Sequence, residues 1–210
     1  REGSDTWNFP GNGVCSSRAR RRIPLVRPSP GICANFHQPA PRPMPATFPE
    51  PLRPSGLQMR IHPFHELPAE VLYAALKLRQ DVFMLEQDCL YPELDGLDPG
   101  CLHVVGSDPS EAEDSGPVVA AYARIVPPEM KFEDVSIGRI VVDPSVRHRR
   151  YGRDLVAYCL EACRERYPDA PVRIEAQAHL REFYARLGFV ETSPLFLLDG
   201  ILHVNMVWNS

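Results

Sequence analysis

The chain has 210 residues, 44% of them hydrophobic and 24% charged, with a formal net charge of −4. That length suits one mid-sized domain with an appendage. The acidic balance disfavours nucleic acid as a partner, and no apolar run approaches the ~18–20 residues of a membrane span, which excludes a membrane-embedded chain.

Charge is unevenly distributed. Residues 1–58 hold eight arginines, three acids and eleven of the 23 prolines, for a net of +5, whereas residues 59–210 carry a net of −9. We place a boundary at Met59, with a Pro/Arg-rich tail over 1–58 and a folded domain over 59–210. The tail shows neither helical nor strand period and too many prolines for either, so it is expected to be disordered. Its use stays open between a targeting segment, an anion-binding arm and a gene-model remnant, and the in-frame Met59 favours the last. The six cysteines form no CxxC pair. They read as small buried hydrophobes of a reduced, cytoplasmic protein (organellar if the tail is a transit segment), and no metal is expected.

Within the domain, Pro68 opens PAEVLYAALKLRQDVF, an amphipathic helix by its apolar spacing. DCLYPELDGLDPG is an acid-rich loop. LHVVGSD, VVAAYARIV and VSIGRIVVD read as three strands, the first followed by a solvated acidic loop. RRYGRDLVAYCLEACRERY places Leu155, Val156, Cys159, Leu160 and Cys163 on one helical face. PVRIEAQ is a strand, AHLREFYARL a short helix closed by Gly188, and FVETSPLFLL and ILHVNMVW are two last strands. The predicted order is α, β, β, β, α, β, α, β, β, a single mixed α/β sheet domain.

One turn stands out. Between VSIGRIVVD and the following helix lie Arg147, His148, Arg149, Arg150, Tyr151, Gly152 and Arg153. Basic residues are electrostatically unfavourable at a helix N-terminus unless an anion offsets them. The unpaired N–H groups there, a glycine that lets a backbone approach, and guanidinium forks together suit a pyrophosphate. The Walker and dinucleotide glycine patterns are both absent.

VVDPSVRHRRYGRDL resembles the acyl-CoA-binding motif of the GNAT acetyltransferases, [QR]-x-x-G-x-[GA]. Arg147 takes its first position and Gly152 its last. Arg150 stands where the first glycine is usual, a departure that an ordinary φ would accommodate. EAQAHLREFYARLGF resembles the family's later motif through Tyr184, Gly188 and Phe189, and residues 60–208 resemble the ElaA-like branch. The resemblance implies a mostly antiparallel sheet flanked by helices, with the arginine turn on the pyrophosphate of acetyl-CoA. It implies that the strand before the turn splays from its neighbour, so that the backbone of Ile140, Val141 and Val142 holds the pantetheine arm. Gln177 stands where an asparagine often touches that arm, and Tyr184 would protonate the leaving thiolate as general acid. Glu86 and His103 are candidates for the base, His203 is a similar histidine near the C-terminus, and Arg139 would orient an acid or the acceptor. Glu93, Asp95 and Asp98 would draw a cationic amine. The implied activity is N-acetyl transfer from acetyl-CoA to a primary amine, the alternative being a noncatalytic acyl-CoA-binding or partner-binding module. A homodimer is compatible with either.

Overall fold

The computed structural model describes residues 56–108 and 119–209. The tail expected over 1–58, up to residue 55, and most of the acidic loop after Ser107 lie outside the described residues. In chain order the described elements are β1 (Gln58–Pro63), α1 (Ala69–Arg79), β2 (Leu102–Ser107), β3 (Ala121–Val126), β4 (Val135–Val142), α2 (Tyr151–Arg166), β5 (Val172–Gln177), α3 (Arg181–Ala185), β6 (Val190–Glu191), β7 (Phe196–Leu198) and β8 (Ile201–Trp208). They form one mixed α/β sheet in the order β1-β2-β3-β4-β5-β8-β6, with β7 also paired to β8. Every pairing is antiparallel except β4 with β5. A parallel pair needs a crossover, and α2 supplies it.

The strand missing from the sequence reading is β1. Its alternation of Met59 and Ile61 with Arg60 and His62 spans only two repeats before Pro63, too short to stand out beside the proline-rich run. Both apolar residues pack against the main core. The first helix is also shorter than its apolar pattern: after Arg79 the chain continues through wider π-type turns, Gln80–Glu86. FVETSPLFLL divides into β6 and β7 around Pro194, which has no N–H to give a ladder.

The sheet is covered on two sides. Leu155, Val156, Cys159, Leu160 and Cys163 of α2 pack on Ala121, Ala123, Ile125, Ile137, Ile174, Val204 and Met206. Ala75, Leu78 and Val82, from α1 and the turns after it, pack on Val105, Tyr122 and Val141 of the other face. β3 lies between both layers and is buried along its whole length. β5 alternates buried and half-buried residues, its second face lining an opening in the sheet described below.

Candidate active site

β4 and β5 diverge almost as soon as they meet. Only Val135 with Val172 and Ser136 with Arg173 are paired. On its other edge β4 carries an extra residue against β3, since Tyr122 faces Val141 but Arg124 faces Gly138. Within this bulge Arg139 has φ 53, a left-handed conformation that costs a non-glycine residue ~1–3 kcal/mol. Bulges bend the strand that carries them, and here β4 turns away from β5. The gap becomes a cleft that passes through the sheet. Neighbours whose side chains point to opposite faces both line it, Ser136 and Ile137 on β4, Ile174 and Glu175 on β5.

The arginine turn sits at the open end of this gap. β4 ends at Val142, and Asp143 accepts hydrogen bonds from Ser145 N at 2.9 Å and Ser145 Oγ at 2.6 Å, winding Pro144–Arg149 into a tight turn. Arg150 then reverses the chain with φ 64 and ψ 16, so the position where glycine is usual is left-handed and its φ is not the ordinary one expected. The arginine bears ~1–2 kcal/mol for it. At Gly152 a Cβ would meet only Val142 Cγ2 at 3.6 Å and Phe183 Cζ at 3.9 Å. The fold itself has room for a side chain there, so the glycine leaves open the approach to the helix end.

Arg147 and Arg149 are offset within the chain. Arg147 forms a two-pronged pair with Glu86, at 2.6 and 2.8 Å, and its Nε donates to Val142 O at 3.3 Å. Arg149 pairs with the buried Asp108, which also accepts from the Tyr151 hydroxyl at 2.6 Å. Tyr151 is therefore packed beneath the turn, contrary to the expectation that it contributes to the anion site. His148 and Arg150 are exposed, and Arg153 is half-buried in the first turn of α2.

Deeper in the cleft the structure brings together Ile140, Gln177, Tyr184 and His203. Val141 and Val142 continue β4 beyond Ile140 toward the arginine turn. Gln177 ends β5 and donates to Gln87 Oε1 at 2.9 Å. Tyr184 is buried, its ring edge-on to Phe183 and Phe189. Burial holds its phenol well above the ordinary value, with Cys159 adding to the effect, so it stays protonated.

The base candidates fare differently. Glu86 is exposed and committed to Arg147, whose hydrogen bonds keep its carboxyl below the usual range. It does not line the cleft. His103 is fully buried, with Nε2 at 3.0 Å from Asp98 O and Nδ1 at 2.8 Å from the Tyr122 hydroxyl. Burial lowers its pKa, and with both ring nitrogens engaged it has no access to an acceptor in the cleft. Glu93, Asp95 and Asp98 are also spent. Arg79 binds Glu93 at 2.7 Å and Asp98 at 2.9 Å, Arg124 binds Asp98 at 2.9 Å and also Asp95, and Arg139 binds Glu93 at 2.8 Å. Three guanidinium groups match these three carboxylates, which leaves none of the three free for a cationic acceptor. Sequence reasoning missed Arg79 and Arg124, although a charged residue inside an apolar helix face and another inside AAYARIV were visible signals.

A GNAT acetyltransferase domain matches residues 112–210. Protein ElaA of Escherichia coli K12 is 38% identical over 143 residues, covering 67% of this chain and 89% of ElaA. The chain belongs to the ElaA-like branch of the GNAT acetyltransferases. A UPF0039 protein of Schizosaccharomyces pombe is 34% identical over 153 residues, 72% of this chain and 97% of the relative. Among solved structures, an acyl-CoA N-acyltransferase from Pseudomonas aeruginosa superposes with a TM-score of 0.65 at 34% identity, covering 72% of this chain and 99% of its own. This GNAT fold is one that takes an acyl-CoA and an acceptor, and its splayed strands and glycine-bearing helix start form the cleft described above. Among the described residues no group of ligating side chains could hold a metal ion, and no helix is long and apolar enough to cross a membrane.

Proposed function

We propose that this GNAT chain moves an acetyl group from acetyl-CoA to a primary amine. The observation that carries the reading is the cleft between β4 and β5, open at the N-terminus of α2, where unpaired N–H groups and guanidinium groups favour a polyanion. Arg147, Arg149, Arg150 and Arg153, with His148 and the bare backbone at Gly152, would hold the pyrophosphate. Glu86 would yield Arg147 to it, because an exposed pair of this kind contributes only ~0–1 kcal/mol. The unpaired edge of β4 over Ile140, Val141 and Val142, with Gln177 opposite, would hold the pantetheine arm as a strand holds a neighbour.

The thioester supplies the activated acyl carbon. The amine nitrogen attacks it, the carbon–sulfur bond breaks, and the Tyr184 hydroxyl donates its proton to the departing sulfur. Burial that raises the phenol acts on a thiolate in the same way, since both anions lose hydration. The donor and the leaving group therefore stay matched. The buried acids do not select the acceptor, so it need not be polycationic.

Thiol release from acetyl-CoA in the presence of a panel of primary amines, beside a CoA titration, tests the reading. Amine-dependent release with tight CoA binding is expected. CoA binding with no release across the panel would make the chain a noncatalytic acyl-CoA module, and absence of CoA binding would remove the site assignment altogether.

A further inference from the structure

Acyl transfer to an amine leaves one role unfilled once Glu86 and His103 are accounted for: something must take the proton that nitrogen sheds as the N–C bond forms. We propose that His203 Nε2 is that acceptor, an inference that rests on the acyl-transfer reading. His203 lies on β8 directly opposite Gln177 of β5, and among the described residues it is the one histidine lining the cleft. It is half-buried, which leaves the ring both shielded and reachable.

Its tautomer follows from its partner. His203 Nδ1 is 2.9 Å from Ile201 O. A carbonyl oxygen only accepts, so Nδ1 carries the hydrogen and the lone pair of the neutral ring is at Nε2. The same bond fixes the ring, and Phe196 flanks it with centroids 6.1 Å apart. His103, by contrast, has both nitrogens occupied in the core.

Charged and titratable groups line the cleft around the imidazole. On β5, Glu175 is next but one to Gln177 and is tied to Lys131. From the segment after α1 come Cys89, whose thiol donates to Asp199 O at 3.0 Å, and Tyr91, whose ring lies under the Arg139 guanidinium at 5.3 Å. Asp199 lines the cleft from the β7–β8 hairpin, Arg124 from β3 and Tyr184 from α3. Glu175 is thus paired with Lys131, and Arg124 with Asp95 and Asp98.

The step balances without a further reactant. The nitrogen bonds the acyl carbon and gives its proton to Nε2, and the C–S bond breaks. Sulfur takes the Tyr184 proton, and the imidazolium returns a proton to the phenolate through solvent. Neutral amine and thioester become amide and thiol.

The test is turnover of acetyl-CoA with an accepted amine, followed from pH 6 to pH 10 in the parent and in His203→Gln, beside CoA titrations and melting curves. Loss of a general base predicts a fall of ~10²–10⁴ in turnover near neutral pH. The deficit should shrink toward pH 10, where hydroxide from solvent can take the same proton, and CoA affinity should hold within about twofold (~0.4 kcal/mol). In His203→Ala, added imidazole should restore part of the rate. Three outcomes overturn the proposal: turnover within a factor of three of the parent, an equal loss at every pH, or no rescue by imidazole. In each of these a working parent leaves the acyl-transfer reading standing. A parent that binds CoA yet is inert toward every amine overturns that reading and the role of His203 with it.

Discussion

Two groups of arginines in this molecule do opposite work. Arg79 and Arg124 are buried to 0% and 1% exposure and, with Arg139, are held by Glu93, Asp95 and Asp98 between the sheet and the segment after α1. Arg147, His148, Arg149 and Arg150 stand exposed at the start of α2. Buried guanidinium groups have their donors assigned, Arg124 Nε excepted, and fix geometry: they anchor the 88–100 loop and the bulged strand that opens the cleft. Exposed ones keep donors within a ligand's reach, and Arg147 can be recruited by exchanging its weak, exposed pair with Glu86. The same residue type is scaffold in one place and recognition surface in the other, and solvent access decides which.

Removing a buried member should have the largest effect. Arg79→Met strips the partner from two carboxylates in the core, and breaking such a pair costs ~3–5 kcal/mol. Urea unfolding should register a loss of that size, and a loss below about 1 kcal/mol would mean that Arg124 and Arg139 already suffice. At the exposed group the readout changes from stability to ligand. Gly152→Val places a branched side chain over the helix start, and CoA affinity should fall by at least about tenfold, ~1.4 kcal/mol. An unchanged titration would detach this turn from the pyrophosphate.

Acid should weaken the buried group. Burial pushes the Asp98 carboxyl up, but the hydrogen bonds and charges of Arg79 and Arg124 outweigh it, and its pKa lies below the ordinary 3.8. The stability it contributes is present above that ordinary value and is lost as pH falls toward the lower folded value. His103, held neutral by burial, acts in the same direction from its ordinary 6.5 downward, because the unfolded chain takes up a proton that the fold refuses. The melting temperature should therefore decline as pH falls below 6.5, and decline further below 3.8 as the Asp98 contribution is lost. A rise over that range would contradict the network.

Arg150→Gly sharpens the contrast with the smallest effect. Relief of the left-handed arginine (~1–2 kcal/mol), less the entropy of a glycine (~0.5–1 kcal/mol), predicts a gain of ~0.5–1 kcal/mol in stability. CoA affinity should drop slightly, by an amount that fades as salt rises. A destabilised variant would show that the arginine side chain holds the turn.

Much of this was legible in the sequence because it rests on local patterns. The five α2 residues named from helical spacing are all buried, with Tyr151 and Ala162 beside them, and a strand–turn–helix with clustered arginines marked the turn. What escaped depends on distance. Glu86 reaches Arg147 across 61 positions, and Asp108 reaches Arg149 across 41. Nothing local announces that these acids face the turn, or that Glu93, Asp95 and Asp98 face inward. The bulge at Arg139 and the left-handed Arg150 were hidden for another reason: both are backbone conformations that the residue type disfavours, one within a sheet strand and the other at the turn into α2.

The most direct test of catalysis in this cleft is Tyr184→Phe, measured as acetyl-CoA turnover with an accepted amine beside CoA affinity and melting temperature. The substitution keeps the ring against Phe183 and Phe189 and removes only the hydroxyl. If the hydroxyl protonates the leaving sulfur, turnover falls by ~10²–10⁴ while affinity and melting temperature stay close to the parent. Turnover within a factor of two or three of the parent would make Tyr184 a packing residue and contradict the account.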